Sequence, residues 1–137
     1  MGNGWVDGGY SMPKVLIRTQ VGDKSSYAFH GEYAIRGLRK RGWEVAVVPI
    51  NREAWKVVLP RDIAEVTYKT PPWVGDVEFF IYPAKVAPWN KHLTVWKTMW
   101  ETTRLPQNWV PNLNGCREVM VPTVMGASLF SAQGVTS

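Results

Sequence analysis

The chain has 137 residues, 45% hydrophobic and 20% charged, with a formal charge of +5. That length suits one domain, and the composition excludes a disordered chain. Cys116 is the single cysteine, which excludes an intrachain disulfide and fits a reducing compartment.

The start, MGNGWVDGGYSM, is Gly-rich and aperiodic, and reads as a tail over residues 1–12, with Trp5 or Tyr10 available to pin it to a surface. It lacks the apolar core of a signal peptide. No stretch approaches the ~20 apolar residues of a membrane span. A soluble, cytoplasmic protein is therefore expected. Residues 13–137 read as a single domain.

Pro13 to Thr19 (PKVLIRT) is a short apolar run suited to a buried strand. A polar loop, Gln20 to Ser26, follows. Tyr27 to Arg41 is the clearest helix: Tyr27, Gly31, Ala34, Ile35 and Leu38 fall at helical spacing. Ser25 or Ser26 can cap its start, and Gly42 suits its end. Trp43 to Pro49 reads as a second strand. Strand, helix and strand in this order make a βαβ unit and imply a parallel sheet.

Asn51 to Leu59 is expected as a short helix. Asp62 to Thr70 alternates weakly, as an edge strand or a loop would, and Pro71-Pro72 ends it. Asp76 to Tyr82 (DVEFFIY) and Leu93 to Trp100 (LTVWKTMW) are strands. Pro106 to Asn114 is a short helix, Glu118 to Val121 a short strand, and Thr123 to Gln133 a helix ended by Gly134. The alternation predicts an α/β fold: an open, mostly parallel Rossmann-like sheet with helices on both faces.

Four cations, Arg36, Arg39, Lys40 and Arg41, cluster at the end of the long helix. They suit a helix C-terminus, where the dipole favours positive charge. No nucleic-acid recognition motif accompanies them, so a nucleic-acid partner is not expected.

In open parallel sheets, ligands bind beyond the carboxyl ends of the strands. There the sequence places Thr19, Gln20, Gly22, Asp23, Lys24 and Ser25 after the first strand, Pro83 after the third, and Glu101, Thr102 and Thr103 after the fourth. Pro122 and Thr123 follow the fifth. Gly22, Asp23, Ser25, Glu101, Thr102 and Thr123 are the candidate substrate-binding set. The Gly22 loop precedes a helix N-terminus, which can hold an anion. It matches neither the dinucleotide nor the P-loop glycine pattern. His30, in the first turns of the helix, is a candidate base or hydroxyl ligand, or else a partly buried helix residue. His92 begins a strand at the opposite end of the sheet. Two distant histidines and one cysteine make no metal-ligand set. Glu101 is the weak catalytic candidate beside His30, or else a structural carboxylate in the turn before Pro106.

The run from Thr94 to Val135, TVWKTMWETTRLPQNWVPNLNGCREVMVPTVMGASLFSAQGV, resembles a stretch of retaining glycosyltransferases of the GT-B fold. The resemblance lies in Glu101 and Thr102, Leu105-Pro106, Trp109-Val110, Leu113-Asn114, Val121-Pro122-Thr123, Phe130 and Gly134-Val135. More loosely it extends from residue 13, through the polar Gly loop and the helix into Arg-Gly-Trp-Glu-Val. It implies an acceptor-side domain truncated before the donor-binding domain. In the family that second domain grips the nucleotide-sugar and carries two glutamates eight positions apart; no pair of glutamates here has that spacing.

What the resemblance implies is a glycosyltransferase-like domain that is inactive alone. It would have no cofactor of its own, and a nucleotide-sugar would be co-substrate once a donor-binding domain or chain is supplied. A carbohydrate would be the acceptor. The alternative is a non-catalytic carbohydrate-binding or structural subunit, as a homo-oligomer or within a larger assembly such as a virion.

Overall fold

The strands of the computed structural model, which describes residues 12–85, 88, 93–98 and 104–136, form one five-stranded sheet in which every pairing is parallel. β1 (Lys14–Thr19) is followed by α1 (Ser26–Lys40), β2 (Glu44–Val47), α2 (Arg61–Ala64), β3 (Val77–Ile81) and β4 (Thr94–Lys97). α3 (Trp109–Leu113), β5 (Glu118–Met120) and α4 (Val124–Ala132) complete the order. The strand order is β2-β1-β3-β4-β5. The chain steps one way from β1 to β2, then crosses to the other side of β1 and continues outward. The direction reverses between β1 and β3, which is the topological switch point of a doubly wound sheet.

Alternation along β3 separates two cores. Phe79 and Ile81 face the cluster of Val15, Ile17, Ile35, Val47, Ala54 and Ile63, where α1 and α2 pack. Phe80 faces the cluster of Trp96, Leu105, Trp109, Leu113 and Phe130, where α3 and α4 pack. Helices thus cover opposite faces, as a uniform crossover hand requires when the chain moves in opposite directions from the switch point. Trp73 crosses the α3 and α4 face on the way from β2 to β3 and covers Leu16, Ala46 and Val48.

α1 starts where Ser25 Oγ accepts the Ala28 amide at 3.1 Å, a side-chain cap. Its buried face, Ala28, Gly31 and Ile35, lies on the sheet. On its flank Arg36 Nε donates to Asp62 Oδ2 at 2.7 Å, and Arg39 Nη1 donates to Glu65 Oε1 at 2.9 Å. Two of the four clustered cations are therefore paired with the carboxylates at α2.

The middle of the chain differs from expectation. Only Arg52–Trp55 of the segment 51–59 is helical, as a 3-10 turn, and Pro60 follows close behind. Asp62 to Ala64 belongs to α2 instead of to an edge strand; Pro60, with no amide to satisfy, stands at its start. The edge survives as a single bridge from Val47 to Thr67, closed by the Tyr68 amide donating to the Val47 carbonyl at 2.8 Å. α3 is shorter than its expected range, with Pro111 accommodated near its first turn. The tail expected over residues 1–12, with Trp5 and Tyr10, lies outside the described residues except for Met12. So do Trp100 and His92. No described helix is long and apolar enough to cross a membrane.

Candidate functional site

The loop after β1 is held by its own polar groups. The Asp23 carboxylate accepts the Ser25 amide at 2.8 Å and the Gln20 side-chain amide at 3.2 Å. Ser25 Oγ lies 3.3 Å from Gln20 Oε1 as donor, while it caps α1. Asn51, just past β2, grips Val21 from both sides: its Oδ1 accepts the Val21 amide at 2.9 Å and its Nδ2 donates to the Val21 carbonyl at 2.8 Å. Asp23 and Ser25 therefore act first on the loop itself. Gly22 has φ +77, and a Cβ there would lie 2.7 Å from Val57 Cγ2 and 2.9 Å from Leu59 Cδ2. Its glycine is required by the left-handed backbone and by the chain packed against it.

Beyond that loop, three side chains meet at the switch point. Tyr27, in the first turn of α1, has its ring centroid 6.2 Å from that of Tyr82, the residue after β3, with the planes at 57°. The Tyr27 hydroxyl lies 3.4 Å from Oγ1 of Thr98, the residue after β4. Thr98 is buried, whereas both tyrosines are half-buried. Buried Trp96 fixes Tyr82 from below, donating its Nε1–H to the Tyr82 carbonyl at 2.8 Å. Lys85 lies over the Tyr82 ring at 5.4 Å. Two half-exposed rings with hydroxyls offer both stacking area and hydrogen bonds.

Sequence reasoning missed Tyr27 and Tyr82. Tyr27 counts as an apolar helix position and Tyr82 as the last residue of an apolar strand. The available signal was position: Tyr82 directly follows a strand's carboxyl end, and Tyr27 stands in the first turn of the helix that follows one.

Gly22, Asp23 and Ser25 lie together. Thr123 is on the same carboxyl edge, but three strand intervals away, on the order of 14 Å. There its Oγ1 accepts the Gly126 amide at 2.9 Å and caps α4. Glu101 and Thr102 lie outside the described residues, as does Thr103. His30 sits on the α1 flank. It lines an open groove of about 360 Å³ with Tyr33, Ala34, Phe79, Ile81, Lys97 and Met120. Its Nδ1 is buried and has no hydrogen-bond partner among the described residues.

On the other face, Arg18 stacks over Phe80 at 5.4 Å. Burial lowers the pKa of its guanidinium, and the charge of Glu78, itself 5% exposed, pulls it back up. By the register of β1 with β3, Arg18 and Glu78 share the face of the sheet that carries Phe80. Among the described residues, no three His, Cys, Asp or Glu side chains gather to hold a metal ion. No protein-family model, curated protein or solved structure matches the chain.

Proposed function

We propose that this chain is a glycosyltransferase-like acceptor-side domain that presents a carbohydrate at the Tyr27 and Tyr82 rim and transfers no sugar alone. The observation that carries the reading is the paired tyrosines at the β1/β3 switch point, the place where open α/β sheets take ligands. A sugar ring has an apolar face of C–H groups and a periphery of hydroxyls. Tyrosines match both, stacking through the ring and hydrogen-bonding through the hydroxyl. The Gly22 loop, built rigid by Asn51 and Asp23, would form the wall beside it.

Transfer would need a donor-binding partner. A one-sided site leaves the donor phosphates in water and the acceptor unaligned. Lost alignment alone forfeits on the order of 7–11 kcal/mol of barrier lowering.

Titration with methyl glucoside and maltose, followed by NMR of the tyrosine rings, tests the binding claim. Millimolar binding that shifts Tyr27 and Tyr82 and is lost in Tyr82→Ala supports it. Sugar-independent spectra would overturn it. A long incubation with nucleotide-sugars and maltose tests the second claim; robust product from the pure chain would refute it.

A further inference from the structure

Every carbonyl in the turn that leaves β3 is taken. The Tyr82 carbonyl accepts the Trp96 indole N–H at 2.8 Å. The Pro83 carbonyl accepts the Lys85 amide at 2.8 Å, and the Ala84 carbonyl accepts from Asn112 Nδ2, also at 2.8 Å. Ala84 is fully buried and packs in the core of Trp96 and Leu113. The backbone from Tyr82 to Lys85 is therefore tied down peptide by peptide. From its outer end the exposed side chain of Lys85 reaches back over the Tyr82 ring, with Nζ 5.4 Å from the centroid. An ammonium over a ring face is a cation–π contact.

The charges around this lysine leave it available to an anion. Among the described residues no carboxylate pairs with Lys85. α1 brings no acidic residue in its first turn, and β4 ends in Lys97 and Thr98. The loop after β1 carries one carboxylate, Asp23, beside the exposed Lys24. Asp23 is already engaged by the Ser25 amide, Gln20 Nε2 and Asn51 Nδ2. A neutral sugar stacking on the covered face of Tyr82 must push the ammonium off the ring and gives it no charge in return. A sugar with an anion on its edge offers that ammonium a charge-assisted hydrogen bond as the ring is uncovered.

We propose that the sugar held at this rim is acidic: a pyranose with an anionic group on its edge, stacked on Tyr82 while Lys85 pairs with the anion. Lys85 is then the residue that sets specificity, choosing acidic sugars over neutral ones. The inference rests on the carbohydrate reading of the Tyr27 and Tyr82 rim.

The probes are methyl glucoside, methyl glucuronoside and glucose 6-phosphate, titrated into the full chain at low ionic strength and followed by NMR of the tyrosine rings. The better of the two acidic sugars should bind about tenfold more tightly than methyl glucoside, and which one gains more tells a carboxylate from a phosphate. Added sodium chloride should shrink that advantage. Lys85→Ala should remove it from both sides: the acidic sugars weaken, while methyl glucoside keeps or gains affinity because the ring is bared. Lys85→Arg should retain the preference. The side chain is exposed, so both variants should melt as wild type does, which separates recognition from folding. Equal affinity for neutral and acidic sugars overturns the inference and leaves the carbohydrate reading standing. An acidic preference that survives Lys85→Ala does the same, as does methyl glucoside weakening there as much as the acidic sugars. No ring response to any of the probes overturns both.

Discussion

A Cβ placed on Gly31 would lie 2.5 Å from Thr19 Oγ1 and 2.7 Å from Thr19 Cγ2. α1 and β1 meet there through a glycine and a fully buried threonine, whose hydroxyl also donates to the Tyr27 carbonyl at 3.2 Å. β-branched Thr19 is stiff at χ1 and cannot turn aside freely. Gly31→Ala is therefore expected to push α1 off the sheet, at a cost of about 1–3 kcal/mol in urea unfolding. Thr19→Ala in the same chain removes both clashing atoms, so the double variant should be less destabilised than the sum of the singles. Strict additivity would mean that the two do not touch.

Asn51→Ala is expected to cost about 1–3 kcal/mol, because it strips both partners from the Val21 backbone. Val21 is fully buried, so water does not readily replace them. Asn51→Asp should be no remedy. It keeps the acceptor for the Val21 amide but turns an oxygen toward the Val21 carbonyl and Asp23. Hydrogen exchange at the Val21 amide checks the mechanism: it should accelerate in Asn51→Ala more than at Ile17. Equal protection in variant and wild type would rule out the clamp.

The fold was largely legible from the sequence because its signals are local. The KVLIRT run, the spacing of Gly31, Ile35 and Leu38, and Gly134 at the end of the last helix each announce an element without help from distant contacts. The segment 51–70 was less legible. Ala54 and Ile63 reach the core from one turn each, too short for a period to show, and Thr67 pairs with β2 through one bridge. The rim was half legible. The carboxyl edge follows from strand order along the chain, but Tyr27 and Tyr82 approach one another only through the parallel pairing of β1 with β3. Sequence could place Gly22, Asp23 and Ser25 in one loop. It could not reveal that Asp23 and Ser25 hydrogen-bond the loop that carries them.

The Arg36 and Asp62 pair sets an acid limit. Its hydrogen bond to Arg36 holds the Asp62 carboxyl below the ordinary 3.8. A carboxyl depressed by folding stabilises the fold above its unfolded pKa and loses that contribution as pH falls through its folded pKa. Wild type should therefore melt above Asp62→Asn at neutral pH by a small margin, since the pair is exposed and screened. The margin should shrink below about pH 4 and vanish in stronger acid. Added salt at pH 7 should narrow it as well. A margin that grows on acidification would contradict the assigned sign.

Trp96 links core to rim, and its replacement should report on both. Its indole is fully buried, packs edge-on to Phe80 at 4.6 Å, and donates to the Tyr82 carbonyl at 2.8 Å. Trp96→Phe removes one ring of packing and leaves that carbonyl without its indole donor. The cavity and the lost bond together should cost about 2–4 kcal/mol. An isosteric benzothienyl-alanine at the same position keeps the shape and removes only the N–H. Its cost should be smaller, about 1 kcal/mol, and should appear as looser placement of Tyr82. In the NMR titration with maltose, that variant should bind sugar more weakly than wild type while unfolding with the same denaturant dependence. If the benzothienyl chain matched wild type in both stability and sugar response, the indole bond would have no part in holding the rim. The Phe effect would then be packing alone.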